Sequence, residues 1–204
     1  MRGSRYHSED EPVISRFAPS LPLGRMPEPW FGVPSQAKVF YLSLNPSHKP
    51  NDGIASETWR RFCQDMMLER VSYSRYLEEA SPEAFSSFYR NHGGFSDLTF
   101  PAICNLRLIA YPSPEKSDLG RIGTRPDLLP SSRRMMKIVH DDLTPRARRG
   151  EILLLVMRSP EFWGFKRTDH DYWDGGLFVS RPLRTNSISP TSRVGDRISQ
   201  ILGV

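Results

Sequence analysis

A chain of 204 residues is long enough for one domain with a real hydrophobic core and short for two, and its 38% hydrophobic and 25% charged content is that of a globular protein. Two cysteines exclude a disulfide framework, a four-thiolate zinc site or an iron–sulfur cluster built by this chain alone, and fit a reduced, cytoplasmic setting. The formal charge of +5 is concentrated in residues 121–150, which carry eight basic and three acidic side chains.

Residues 1–20 are polar and lack periodicity, so a flexible arm is expected there, leaving 21–204 as a single domain. The proline-rich segment 21–34 around Trp30 and Phe31 reads as an extended lead-in that docks aromatic side chains. The run Lys38–Leu44, closed by Asn45-Pro46, predicts a buried parallel strand. Trp59, Phe62, Met66 and Met67 then fall at helical spacing, and a second helix is expected from Ser81-Pro82-Glu83 with Ser81 as its cap. Phe100–Ala110 predicts a second strand, ended by Tyr111-Pro112-Ser113-Pro114. Residues 131–149 read as a basic helix with Met135, Met136, Ile138 and Val139 inward, stopped near Pro145.

Glu151–Met157 predicts the third strand and Leu177–Val179 a fourth, continuing through Leu183–Ile188, before a terminal helix over Val194–Leu202. Strands separated by helices predict an α/β fold with a mainly parallel sheet, whose ligands bind at the carboxyl ends of the strands. That rule points to Asn45, the loop after Asn105, Arg158-Ser159 and the segment around Ser189. The longest apolar run, Ile152–Met157, is too short to span a bilayer, and the N-terminal MRGSRYHSEDEPV lacks the apolar stretch of a secretory signal. No membrane contact is therefore expected. Nothing in the sequence requires a dimer, so a monomer is expected.

Motifs for phosphate-binding loops, dinucleotide binding, zinc proteolysis and α/β-hydrolase chemistry are absent, and the five histidines show no metal-ligand spacing. No metal and no cofactor are expected. Asn45, at the end of the first strand, is either a turn former or a residue that orients a water or ligand. Asn105 interrupts an apolar strand, where an unpaired amide would cost roughly 1–3 kcal/mol, so it is either satisfied by the backbone or turned toward a ligand. The cations of 121–149 can neutralise phosphates or form an ordinary solvated face.

Taken in order, Pro27-x-Pro29, Gly32, the strand Val39–Leu44 ending in Asn45-Pro46, the strand Ala102-Ile103-Cys104-Asn105-Leu106-Arg107-Leu108-Ile109, the strand Leu153–Met157 and the late Ser189-Pro190-Thr191-Ser192-Arg193 resemble the uracil-DNA glycosylase superfamily. Asn45-Pro46 is similar to the first motif of its mismatch-specific branch. The resemblance spans about residues 27–200 and implies a three-layer α/β/α sandwich around a mainly parallel four-stranded sheet. It implies a metal-free, monofunctional DNA glycosylase that flips a modified or mismatched base out of the stack and hydrolyses its N-glycosidic bond. Carried over by position, Asn45 places the water, Asn105 reads the base, and Ser189 supports the leaving group. Pro46, Ser47, His48, Phe100, Pro190, Thr191, Ser192 and Arg193 line the substrate groove. Phe100 is either the stacking ring or core packing. The second motif starts with Ser189 where the family carries His or Asn, and Asn45-Pro46 is followed by Ser47-His48-Lys49 with no close aromatic until Trp59. Those departures carry the alternative of an inactive member that binds nucleic acid or a nucleotide-like ligand, and an unrelated α/β protein is the third reading.

Overall fold

The computed structural model describes residues 8–21, 27–46, 57–72, 100–113, 115–157, 159–181 and 192–203. The expectations for a helix beginning at Ser81 and for strand continuation through Leu183–Ile188 fall outside them.

Among the described residues the strands are β1 (Trp30–Gly32), β2 (Val39–Ser43), β3 (Ile103–Arg107), β4 (Leu153–Val156), β5 (Tyr172–Asp174) and β6 (Leu177–Val179). They form one sheet in the order β1-β3-β2-β4-β6-β5. The four strands expected from the sequence are its contiguous parallel centre, β3, β2, β4 and β6. The chemistry of β2 and β4 accounts for their place there. Leu153, Leu154, Leu155 and Val156 are all buried, as are Val39, Phe40, Tyr41 and Leu42, so both strands need cover on two faces and a neighbour at each edge.

The four-stranded expectation is corrected at the edges, where β1 pairs antiparallel with β3 and β5 antiparallel with β6. Both added strands are three residues long, too short for a periodic signal. The proline-rich lead-in thus becomes an edge strand, with Phe31 buried opposite Asn105. Gly32 makes this possible. Its φ is +114°, and a Cβ there would collide with the Ile103 carbonyl oxygen. Gly32→Ala is expected to cost about 3 kcal/mol, read as a lower midpoint in urea unfolding with an unchanged m value.

Alternation along the strands splits the apolar side chains between two faces. Phe40, Leu42, Cys104, Leu106, Leu154, Val156, Leu177 and Val179 pack against Met135, Val139, Leu143, Ala147 and Trp163. On the other face Val39, Tyr41, Ile103, Leu153, Leu155 and Phe178 meet Val194 and Ile198. The first set is covered by α3 (Pro130–Ile138), a π turn (Val139–Leu143) and α4 (Thr144–Arg148), and the second by α5 (Arg193–Leu202).

Pro145 does not stop the basic helix. The π turn shifts the hydrogen bonding just before it, and the Thr144 hydroxyl donates to the Val139 carbonyl at 2.8 Å, so the missing proline N–H breaks no regular ladder. Ile138 is also turned outward, at 51% exposure, because it lies about 100° round the helix from buried Val139. In α2 (Glu57–Met67) the buried side chains include Phe62, Cys63 and Met66, while Met67 faces out.

The expected flexible arm is a structural element from residue 8 onward. Helix α1 (Glu11–Phe17) places Ile14, Ala18 and Leu21 against Ile109, Tyr111, Leu119, Ile122 and Leu129. Asp10 is fully buried and accepts hydrogen bonds from the Tyr111 hydroxyl (2.7 Å), the Ser131 amide (3.0 Å) and the Ser131 hydroxyl. Its carboxylate therefore caps α3, a helix far away in sequence. Too few apolar residues repeat between 8 and 21 for this docking to register as periodicity.

Candidate functional site

The sheet ends its parallel strands at a single edge, and β2 is the first of them in sequence, with β3 on one side and β4 on the other. The order β3-β2-β4 makes the carboxyl end of β2 a topological switch point, the position at which open α/β sheets ordinarily bind ligands. Asn45 stands at this point, two residues beyond the strand.

Its carboxamide is fixed. Nδ2 donates to the Pro46 carbonyl and to the Ser113 hydroxyl, both at 2.9 Å. A carbonyl oxygen can only accept, so the amide nitrogen must face Pro46 and the orientation is settled. Oδ1 has no partner among the described residues. The loop beneath is tied down by backbone bonds from Leu108 to Ser43 (3.0 Å), Ile109 to Leu44 (2.7 Å) and Ser113 to Pro46 (3.2 Å). Asn45 is half-buried, whereas Pro46 and Ser113 are buried.

Asn105 occupies a different position. It is 6% exposed in the middle of β3, between Phe31 of β1 and Tyr41 of β2, and its Oδ1 accepts from the Ser43 hydroxyl at 2.8 Å. Register sets it opposite Tyr41, four residues before Asn45, or about 13 Å along the strand direction. The two asparagines therefore do not converge by direct contact. Between Asn105 and the strand mouth lies a buried ion pair, the Arg107 guanidinium with the Glu28 carboxylate.

Ser192 caps α5, accepting from the Gly195 amide at 3.1 Å. Arg193 lies over Trp173, 5.6 Å from the ring centre. The expectations for Ser47, His48, Ser189, Pro190, Thr191 and the ring of Phe100 fall outside what is described, although Phe100 opens the 3-10 turn Phe100–Ala102.

Most arginines of the basic block have acidic partners in the chain. Arg125 pairs with Asp127 at 2.8 Å, Arg134 with Glu9, Arg146 with Asp142 at 3.3 Å, Arg148 with Asp174 at 2.9 Å and Arg149 with Glu151 at 2.6 Å. Hydrogen bonds from Arg125 and Arg149 hold the Asp127 and Glu151 carboxyls below their usual range. Lys137 has no acidic partner among the described residues. The local excess of positive charge is thus much smaller in space than along the sequence.

Sequence reasoning missed Ser113 and the Glu28–Arg107 pair. An arginine inside the apolar run Phe100–Ala110 was the available signal for the pair. No such signal marked Ser113, whose role depends on a register between two loops. Cys63 and Cys104 are buried, and loss of hydration pushes both thiols up from their ordinary pKa. Neither should react with a disulfide-exchange reagent in the folded chain, and both should react in guanidinium.

The chain matches no family model, no curated protein and no solved structure. Its site is therefore read from its own geometry. No helix among the described residues is long and apolar enough to cross a membrane.

Proposed function

We propose that the chain hydrolyses the N-glycosidic bond of a flipped base in DNA, with the α/β/α architecture of the uracil-DNA glycosylase superfamily. One observation carries this reading: Asn45, just beyond the carboxyl end of β2, is held by two Nδ2 bonds, and its Oδ1, which has no partner among the described residues, is the acceptor this reading assigns to a water. Glycoside hydrolysis needs such an acceptor near the anomeric carbon, because a water held in line loses little freedom on reaching the transition state. Four adjacent parallel strands with helices on both faces support the finer fold reading.

In this reading Asn45 positions the nucleophilic water, and Ser113 positions Asn45. Asn105 enters as a positioning residue that fixes Ser43 below the strand mouth. Base recognition falls to groups at the mouth itself. The alternative, an inactive binder of nucleic acid or a nucleotide-like ligand, draws on Ser189 standing where the family carries His or Asn.

The test is to incubate the full chain with single- and double-stranded oligonucleotides carrying uracil, hypoxanthine, xanthine or a mismatched thymine, and then to cleave abasic sites with alkali. Strand cleavage on at least one substrate is expected. Binding without cleavage on every substrate would install the alternative.

A further inference from the structure

At the edge of the sheet opposite Asn45, the start of β4, the turn between β5 and β6, the end of α4 and the last turns of α5 border an open cleft of about 400 Å³. Arg148, Arg149, Gly150, Gly176, Arg197 and Gln200 line it. The carboxylates of Asp174 and Glu151 offset the charge of Arg148 and Arg149, so the uncompensated positive charge of the cleft is that of Arg197, which has no acidic partner among the described residues. We propose that this cleft is a phosphate-binding site, taking the phosphoryl group of a nucleotide or the phosphodiester of a single strand.

The guanidiniums of Arg148 and Arg149 come from the end of α4 and that of Arg197 from the middle of α5. Arg148 forms an ion pair through Nε with Asp174 at 2.9 Å, and Arg149 donates from Nε to Glu151 at 2.6 Å. Both carboxylates take the Nε side, and the terminal nitrogens of the two arginines have no partner among the described residues. Arg197 lies 5.7 Å from the Trp173 ring centre and has no ion pair among the described residues. Both pairs are solvent-exposed, with the Arg148 and Arg149 side chains 58% and 59% exposed, so the carboxylates hold the guanidiniums only weakly and a phosphate would recruit them by charge and bidentate hydrogen bonding.

The backbone brings these side chains together. A Cβ at Gly175 would run into the Arg148 carbonyl, and one at Gly176 into the Ile152 carbonyl, so only glycine lets the β5–β6 turn press against the end of α4. Anions are ordinarily repelled by the carbonyls that end a helix. Here several of those carbonyls are occupied: the Ala147 oxygen accepts from the Gly150 and Gly176 amides at 2.8 and 2.6 Å, and the Arg146 oxygen from the Glu151 amide at 3.1 Å. Beside the cleft, Arg193 and Arg197 lie over Trp173, whose ring also packs against Phe178 and so reports on Arg197 by fluorescence.

The site lies apart from Asn45, so its test is independent of base excision. The full chain is titrated with inorganic phosphate, adenosine 5′-monophosphate and a short labelled single strand, following Trp fluorescence and the amide resonances of Gly150 and Gly176. At least one probe is expected to bind and shift both amides. The double variant Arg149→Ala/Arg197→Ala should weaken that probe about tenfold or more. For the strand, the salt dependence should also flatten by about 0.7 per lost contact. Arg149→Lys/Arg197→Lys keeps the charge and should recover most of the salt slope. The monophosphate alone saturating the site assigns it to a nucleotide, and tighter, more salt-sensitive binding of the strand assigns it to a phosphodiester. Failure of all three probes to shift the amides would overturn the proposal, as would a double-alanine variant with unchanged unfolding midpoint and affinity within about twofold of the parent.

Discussion

Arg107→Ala is expected to destabilise the fold by about 3–5 kcal/mol, because it leaves the Glu28 carboxylate buried without its cation. The side chains of Arg107 and Glu28 are only 6% and 3% exposed, so water cannot replace the missing partner without opening the junction between β1 and β3. The surrounding backbone is committed elsewhere: the Arg107 amide donates to Pro29 at 2.9 Å and the Glu28 amide to Ala110 at 2.7 Å. Opening the junction would break this edge of the sheet. Replacing both charges, as Glu28→Gln with Arg107→Met, should recover much of the loss, since no bare charge remains. A double-mutant cycle in urea reads the coupling directly. A loss below about 1 kcal/mol for Arg107→Ala would mean that the pair is solvated and that β1 is loosely held.

The largest effect on chemistry is expected at Asn45. Under the proposed reading Asn45→Ala removes the acceptor for the water, and excision should fall about a hundredfold or more with little change in KM or unfolding midpoint. Ser113→Ala should produce a smaller fall, of about tenfold, because the amide keeps its bond to the Pro46 carbonyl but loses the second one. A shared loss in KM and stability for both variants would point to a turn former and not to a water ligand.

How far the sequence leads is visible in particular residues. Lys38–Leu44 and Glu151–Met157 are nearly continuous apolar runs, and only a strand covered on both faces satisfies them, so the parallel centre was legible. The antiparallel edges were not, because Trp30–Gly32 and Tyr172–Asp174 owe their pairing to Gly32 and to the Gly175–Gly176 turn rather than to a pattern of their own. Asp10 shows the same limit: a single buried carboxylate ties the N-terminal helix to α3 across more than half the chain, and no local window contains both partners. In the basic block, runs of arginine suggested a phosphate face, yet Glu9, Glu151 and Asp174, which pair with it, lie outside the block.

At the candidate site the sequence marked Asn45 through its place after the first strand, and the fold sets it just beyond the carboxyl end of β2. For Asn105 it left satisfied amide and ligand-facing amide open, and the fold joins its Oδ1 to Ser43. Which of those bonds form depends on strand register, which composition does not specify.

The central claim is that the oriented Oδ1 of Asn45 delivers a water to a flipped nucleotide. Single-turnover excision by the parent chain and by Asn45→Ala, on the oligonucleotide that the substrate panel selects, tests it most directly. Base release by the parent with about a hundredfold slower release by the variant, at equal DNA affinity, is the predicted result. Equal rates for the two proteins, or no release by the parent from any substrate of the panel, would contradict it.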